Sequence, residues 1–333
     1  MQDIISKIEN NIKKYNLIVP KDKIIVGVSG GPDSIMLFTA LLQLKPKYDF
    51  EFIVAHVNHM IREEAGMDEN LVREICAKNG IEIHVLTIDV LNEAKAQKIS
   101  TEECGRNIRY EFFNKLIKDT GANKIAVAHN LGDNAETIFM NIIRGTGLSG
   151  LTGMDYSNGN VIRPMLNIDK KDILGYLDKN NISYAIDKTN YTNDYTRNYI
   201  RNELITRLRE INPNILNTID RMKDNLKQDE NVLNKYTKTL AEQIILKKED
   251  NELLLNVKLF KMKDEEIKPR IIRYILNELL NTLQGIEQVH IEDICELFNK
   301  CITGKKYIIG NKFHIEILKN KKAKCVKVNT IIE

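Results

Sequence analysis

No two cysteines of this sequence stand in a C-x-x-C spacing. The five present, Cys76, Cys104, Cys295, Cys301 and Cys325, are an odd number scattered along the chain. That pattern argues against a disulfide frame and a structural zinc site, and for reduced thiols in a cytoplasm. No apolar run approaches the ~20 residues of a membrane span. The start, Met-Gln-Asp-Ile-Ile-Ser-Lys, lacks the apolar core of a secretory signal. Both absences point to a cytoplasmic protein with no membrane partner. An excess of one charge is missing too: 49 Lys and Arg stand against 46 Asp and Glu, a net charge of +3. Nothing global then demands nucleic acid, and any basic surface must be local. Internal repeats and low-complexity linkers are also absent.

What is present describes an ordinary soluble globular protein. Apolar residues make up 43% and charged residues 29% of 333 residues, enough for about two domains. In the first half, strand-like runs at 24–28, 52–57, 83–88 and 124–128 alternate with helical patterns at 34–44, 68–79, 101–118 and 134–143. This alternation predicts an α/β fold, a parallel sheet with helices on both faces. Ligands of such sheets sit beyond the carboxyl ends of the strands. From about Asp194 long helical patterns take over, at 199–209, 213–246, 264–283 and 290–300. Strand-like runs at 306–309, 312–318 and 323–328 follow. The change of texture divides the chain into a nucleotide-binding domain, 1–210, and a smaller α-rich domain with a short sheet, 211–333. The sequence stops just after a strand-like run, which leaves room for a further C-terminal domain. The oligomeric state is not encoded in any pattern here, and a homodimer is compatible with it.

The most informative stretch is Ser29-Gly30-Gly31-Pro32-Asp33-Ser34, set between an apolar strand and a helical pattern. A glycine turn at a helix N-terminus aims backbone N–H groups at an anion, and glycine lets a phosphate approach closely. Ser29 and Ser34 add hydroxyls, and Asp33 is suited to a Mg²⁺ that bridges phosphates. The stretch is not G-x-x-x-x-G-K-[ST] or G-x-G-x-x-G. A merely capped helix start also fits it.

Further residues fall at later strand ends or in the helices that follow them. His56 and Val57 close the second strand, where backbone can read an adenine edge; His56 and His59 also fit plain surface or capping roles. Arg106 and Arg109 share a helix face, as a phosphate grip or a solvated salt-bridged face would require. Asp133 and Glu136 stand one turn apart at a helix start, suited to Mg²⁺ or an ammonium group, or to ordinary capping. Arg197 and Arg201 are spaced i, i+4 among tyrosines and asparagines that could stack on RNA. Residues 300–327 carry nine lysines, Lys321, Lys322 and Lys324 among them, against one glutamate, Glu316. Such a patch fits RNA contact, or a solvated edge that blocks strand aggregation.

The loop at 29–34 resembles that of the PP-loop ATP pyrophosphatases, which cleave ATP between the α- and β-phosphates. Within them, the chain resembles the tRNA(Ile)-lysidine synthetases over roughly residues 15 to 215. The likeness runs through S-G-G-P-D-S at 29–34, H-V-N-H at 56–59 and R-N-I-R-Y at 106–110. It continues through D-x-x-E-T at 133–137, R-G-T-G-L at 144–148, R-P at 163–164, D-x-T-N at 187–190 and T-R-N-x-I-R at 196–201.

The resemblance implies a five-stranded parallel sheet with helices on both faces, and a ligase that adenylates the wobble cytidine of isoleucine tRNA with a CAU anticodon. Free L-lysine then attacks carbon 2 and expels AMP. The product, lysidine, reads AUA rather than AUG and makes the tRNA an acceptor of isoleucine rather than methionine. It further implies ATP and Mg²⁺; catalytic Asp33, Arg109, Asp133 and Glu136; ATP contacts at 29–34, His56, Val57 and Arg106; and lysine contacts at Asp133 and Glu136. Arg197, Arg201, Lys321, Lys322 and Lys324 would meet tRNA. One departure stands out: Gly132 occupies the place of the first of two adjacent aspartates usual in the family. The rivals are a PP-loop thiolase, disfavoured by the missing cysteine pair, a PP-loop amide synthetase, and a non-catalytic nucleotide- or RNA-binding protein.

Overall fold

Runs of Ile and Val build the centre of a sheet. In the computed structural model, which describes residues 3–60, 65–185, 196–310 and 312–327, the first sheet has six strands. They are β1 (Lys23–Gly27), β2 (Glu51–Asn58), β3 (Ile83–Thr87), β4 (Lys124–Ala126), β5 (Ser157–Asn158) and β6 (Val161–Ile162). Their order is β3-β2-β1-β4-β6-β5. All neighbours pair in parallel except β5, which folds back on β6. The five-stranded parallel sheet is therefore present, with one short antiparallel strand added at its edge.

Both faces are covered, so β1 is apolar without alternation. Ile24 and Val26 pack with the helices Ile4–Lys14, Pro32–Tyr48 and Lys170–Lys179. Ile25 packs on the other side with Phe113 and Leu116 of the helix Thr101–Thr120. A Cβ on Gly27 would lie 2.8 Å from Phe113 Cζ, so glycine at this strand end lets that helix approach. The strand order reverses direction between β1 and β4. The crevice beyond their carboxyl ends is the place where such a sheet holds its ligand.

The chain divides into two compact units, Met1–Lys227 and Gln228–Glu333. The division falls inside the long helix Ile215–Ile244, so residues 211–227 belong with the first unit. Asn212 and Pro213 break the backbone before this helix, yet Leu216 and Ile219 pack into a first-unit core with Leu131 and Ile138. Packing rather than the local break sets the boundary.

The second unit holds an antiparallel sheet of β7 (Ile245–Glu249), β8 (Glu252–Asn256), β9 (Lys306–Ile309), β10 (Phe313–Leu318) and β11 (Lys322–Lys327). Its order is β7-β8-β11-β10-β9. Phe313, Ile315 and Ile317 alternate inward along β10 and share a core with Phe260, Phe298 and Cys325. The helical pattern at 213–246 hides the start of β7. Antiparallel pairing of β7 with β8, which sets Ile245 opposite the buried Leu255, overrides the local preference. All five cysteines are free. Among the described residues no helix is long and apolar enough to cross a membrane.

Candidate active site

β1 ends at the loop that the sequence marks as a phosphate cradle. Gly30 has φ +92°, a left-handed backbone that glycine accepts freely. Gly31 stands at the N-cap of the helix Pro32–Tyr48, and Pro32 fills its first turn, where the missing N–H costs nothing. Ser34 fixes the loop: its hydroxyl accepts from Ser29 N at 3.1 Å and donates to Gly31 O at 2.9 Å. Ser29 Oγ lies 3.2 Å from Ser34 Oγ. Asp33, in the same first turn, is aimed across the crevice rather than along its own helix. Its Oδ1 accepts from Asn130 Nδ2 at 3.1 Å, and its Oδ2 from Lys170 Nζ at 3.2 Å. Burial pushes the Asp33 carboxyl above the usual range, while Lys170 pulls it back.

β4 leads to the facing wall. Asn130 caps the helix Leu131–Arg144 reciprocally with Asp133: Asp133 N donates to Asn130 Oδ1 at 3.1 Å, and Asn130 N to Asp133 Oδ2 at 3.0 Å. A Cβ on Gly132 would lie 3.2 Å from Asn130 Oδ1, tighter than ordinary contact. An aspartate at 132 would therefore crowd this cap; Asn130 and Gly132 fit as a pair.

Glu136, one turn on, is 2% exposed. Arg201 donates to it through Nε at 2.6 Å and Nη2 at 2.9 Å, and Arg197 through Nε at 3.0 Å. Arg201 Nη2 also reaches Asp133 Oδ1 at 3.1 Å. Both arginines come from the segment Thr196–Tyr199 and the wide π turn Ile200–Leu204. Sequence spacing suits them to an RNA-facing surface; in the structure both hold carboxylates of the crevice. Burial raises the Glu136 carboxyl, opposed first by Arg201.

Two cavities open on these groups. The first, about 380 Å³, lies over the ends of β1, β2 and β4, between Ser29, Val57, Arg109 and His129. The second, about 330 Å³, is lined by Asn130, Glu136, Lys170, Arg201 and Arg209. Asp33 and Asp133 line both. Among the described residues Arg109 has no ion-pair partner, and it faces the first cavity. Arg106 lies 5.1 Å over the Tyr110 ring and is not part of that lining. His56 is buried in β2, with Nδ1 2.8 Å from Val28 O. The D-x-T-N stretch at 187–190 lies outside the described residues.

Sequence reasoning missed His129, Arg163, Asn130 and Lys170 as site residues. Arg163, buried, donates from Nε to His129 Nδ1 at 3.2 Å. A guanidinium can only donate, so His129 is neutral with its proton on Nε2. Burial first, and Arg163 among its cationic neighbours, bring the His129 pKa down to about 4. His59, also on the first cavity, falls to about 4 through burial and Arg109; its Nδ1 is buried without a hydrogen-bond partner. The R-P pair at 163–164 was the available signal for Arg163. Lys170 carries none, because its partner is 137 positions away.

No group of three or more His, Cys, Asp or Glu able to hold a resident metal occurs among the described residues. Asp33 and Asp133 at the shared rim suit a Mg²⁺ that draws its other ligands from phosphates and water, as this ion commonly does.

Lys321, Lys322 and Lys324 belong to the second unit. Lys321 and Lys322 are exposed at the turn between β10 and β11, where Asn320 and Lys321 have φ of 61° and 55°. Lys324 is paired with Glu252 at 2.7 Å.

The family described as a PP-loop domain matches residues 2–208. The tRNA(Ile)-lysidine synthase of Caldanaerobacter subterraneus subsp. tengcongensis is 37% identical over 318 residues, covering 95% of this chain and 67% of that protein. The tRNA(Ile)-lysidine synthase of Clostridioides difficile is 39% identical over 297 residues, 88% of this chain and 64% of that one. That of Clostridium tetani is 39% identical over 314 residues, 91% and 65%. The chain thus spans about two thirds of the length of these curated relatives. Among solved structures, the U34-tRNA thiolase NcsA from Methanococcus maripaludis superposes with a TM-score of 0.57 at 20% identity, over 67% of this chain and 78% of that one, a likeness of fold.

Proposed function

The chain belongs to the tRNA(Ile)-lysidine synthases, a PP-loop family, and we propose that it ligates free lysine to carbon 2 of the wobble cytidine of an isoleucine tRNA with a CAU anticodon, using ATP. The observation that carries this reading is the pair of cavities meeting at Asp33 and Asp133. One suits a nucleotide; the other, walled by carboxylates and cations, suits an amino acid beside a base.

In this reading ATP lies over β1, β2 and β4, with the 29–34 loop around its phosphates and Val57 toward the adenine; the buried His56 ring, held on Val28 O, lies outside the cavity lining and supports the strand end from behind. Arg109, unpaired among the described residues, is the free cation for the α-phosphate. Mg²⁺, held by Asp33 together with the phosphates, would neutralise charge there. The cytidine carbonyl oxygen becomes a leaving group only once AMP is attached. His129 offers its Nε2–H as a fixed donor to the reacting phosphate or base.

The amine poses a second problem. With a pKa of 10.4, about one free lysine in 2,500 is neutral at pH 7. The site must bind the ammonium and then remove a proton. Asp133 faces both cavities and is placed to receive it. Glu136, gripped by Arg197 and Arg201, forms the wall beside it, and Arg201 also reaches Asp133 Oδ1 at 3.1 Å, so an incoming ammonium shares that carboxylate with the guanidinium.

The exposed lysines of the β10–β11 turn form the tRNA contact in this proposal. The test is incubation with ATP, Mg²⁺, labelled lysine and the CAU tRNA. Lysine should be incorporated, and Asp33→Ala should abolish this while tRNA is still bound. Intact ATP binding with no lysine incorporation would overturn the reading.

A further inference from the structure

Among the described residues every carboxylate lining the two cavities already holds a cation. Glu136 has Arg197 and Arg201, and Asp133 has Arg201. Asp169, the N-cap of the helix Lys170–Lys179, has Arg209 at 3.5 Å and Lys171 at 3.9 Å. Asp33 has Lys170. These pairings differ in what happens when substrate enters. Phosphates on the loop leave the Glu136 and Asp169 pairs undisturbed. The Lys170–Asp33 pair is different, because it occupies the carboxylate oxygen beside that loop. Mg²⁺ and an ammonium in contact with one oxygen repel each other, so a metal on Asp33 displaces Lys170.

Once displaced, Lys170 has no uncommitted carboxylate to move to among the described residues: Asp133, Asp169 and Glu136 are taken. Its Nζ stands 3.2 Å from Asp33, two residues after Gly31. The anion nearest that position is the distal end of a nucleotide seated on the loop. With its side chain 47% exposed, Lys170 can swing without breaking a core contact. Its backbone, at the start of a helix whose Ile173 and Leu177 are fully buried, stays fixed.

We infer that Lys170 is a cation switch: it neutralises Asp33 in the empty site, yields Asp33 to Mg²⁺, and moves to the pyrophosphate end of ATP. In the adenylation step the base oxygen bonds to the α-phosphorus. The bond from that phosphorus to the α–β bridging oxygen breaks, and its electron pair leaves with pyrophosphate. A lysine at that end stabilises the leaving group as its charge grows. This inference rests on the proposed ATP site but not on the identity of the acceptor.

The test uses Lys170→Met and Lys170→Arg in the full chain, without tRNA or lysine, so that loss of lysidine formation is a separate outcome. Mn²⁺ binding is read by electron paramagnetic resonance, and pyrophosphate binding by calorimetry. Without nucleotide, Lys170→Met should bind Mn²⁺ about tenfold tighter, because the competing ammonium is gone. Pyrophosphate affinity should fall about tenfold and be restored in Lys170→Arg. Asp33→Asn should abolish the Mn²⁺ gain. Unchanged or weaker Mn²⁺ binding in a folded Lys170→Met protein overturns the inference. So does tighter Mn²⁺ binding with unchanged pyrophosphate affinity, which would take Lys170 off the phosphates.

Discussion

Glu136 is the residue on which the site's electrostatics turn, since it carries two guanidinium groups in the dry wall of the crevice. Removing one partner of a buried ion pair leaves the other uncompensated. Glu136→Gln should cost about 3 kcal/mol, read from the urea unfolding midpoint, and should abolish lysine ligation. An unchanged midpoint would mean that the arginines find other partners. The histidines predict a pH dependence. His59 and His129 have folded pKa values of about 4, below the ordinary value near 6.5. Between those limits the unfolded chain binds more protons, so stability is full above about pH 6.5 and falls as pH drops toward 4. Asp33 and Glu136, raised by burial, act in the opposite sense above the usual carboxylate range, and favour the fold where they are protonated. Thermal melts from pH 7.5 to 4.5 should slope less in His59→Gln than in the parent, which isolates that histidine. At this scale the turn at 29–34 was legible because glycines between an apolar strand and a helical pattern mark a strand–turn–helix junction. The role of Arg197 and Arg201 was not, because a carboxylate more than 60 positions away decides which way they face.

The elements that carry the site were largely readable from periodicity. β1 to β4 and the helices between them follow the expected alternation, since strands buried on both faces leave continuous Ile and Val runs. β5 and β6 have two residues each, too short for any period. The helix Lys170–Lys179 is marked mainly by its Asp169 cap, and without it Lys170 would not stand at the loop. In the second unit, β9 to β11 were legible from inward alternation, whereas β7 continues a helical pattern. The β10–β11 turn makes an element-level prediction. Neutralising Lys321 and Lys322 together should lower the salt slope of tRNA binding by roughly 0.7–0.9 for each phosphate left without its cation. Neutralising Lys324 should change it less, because Glu252 already offsets that charge. Equal effects from all three would show that the Glu252 pair opens on binding.

At the scale of the molecule, two separate hydrophobic cores lie in the two units. Units with their own cores need not unfold together. The chain has no tryptophan, so reporters can be placed at will. Phe38→Trp and Phe298→Trp variants should show urea transitions at different midpoints; coincident transitions would mean that the units melt as one. The first unit also joins its substrates. Asn130 bonds Asp33 on one strand's loop and caps Asp133 on its neighbour's helix, so neither wall moves alone. In the proposed ligation such a brace would couple the binding of nucleotide to that of the amine. Whatever factor ATP contributes to lysine affinity, lysine must return to ATP, since linkage is reciprocal. In that ligation a single amide side chain would thereby make each substrate help to hold the other in place.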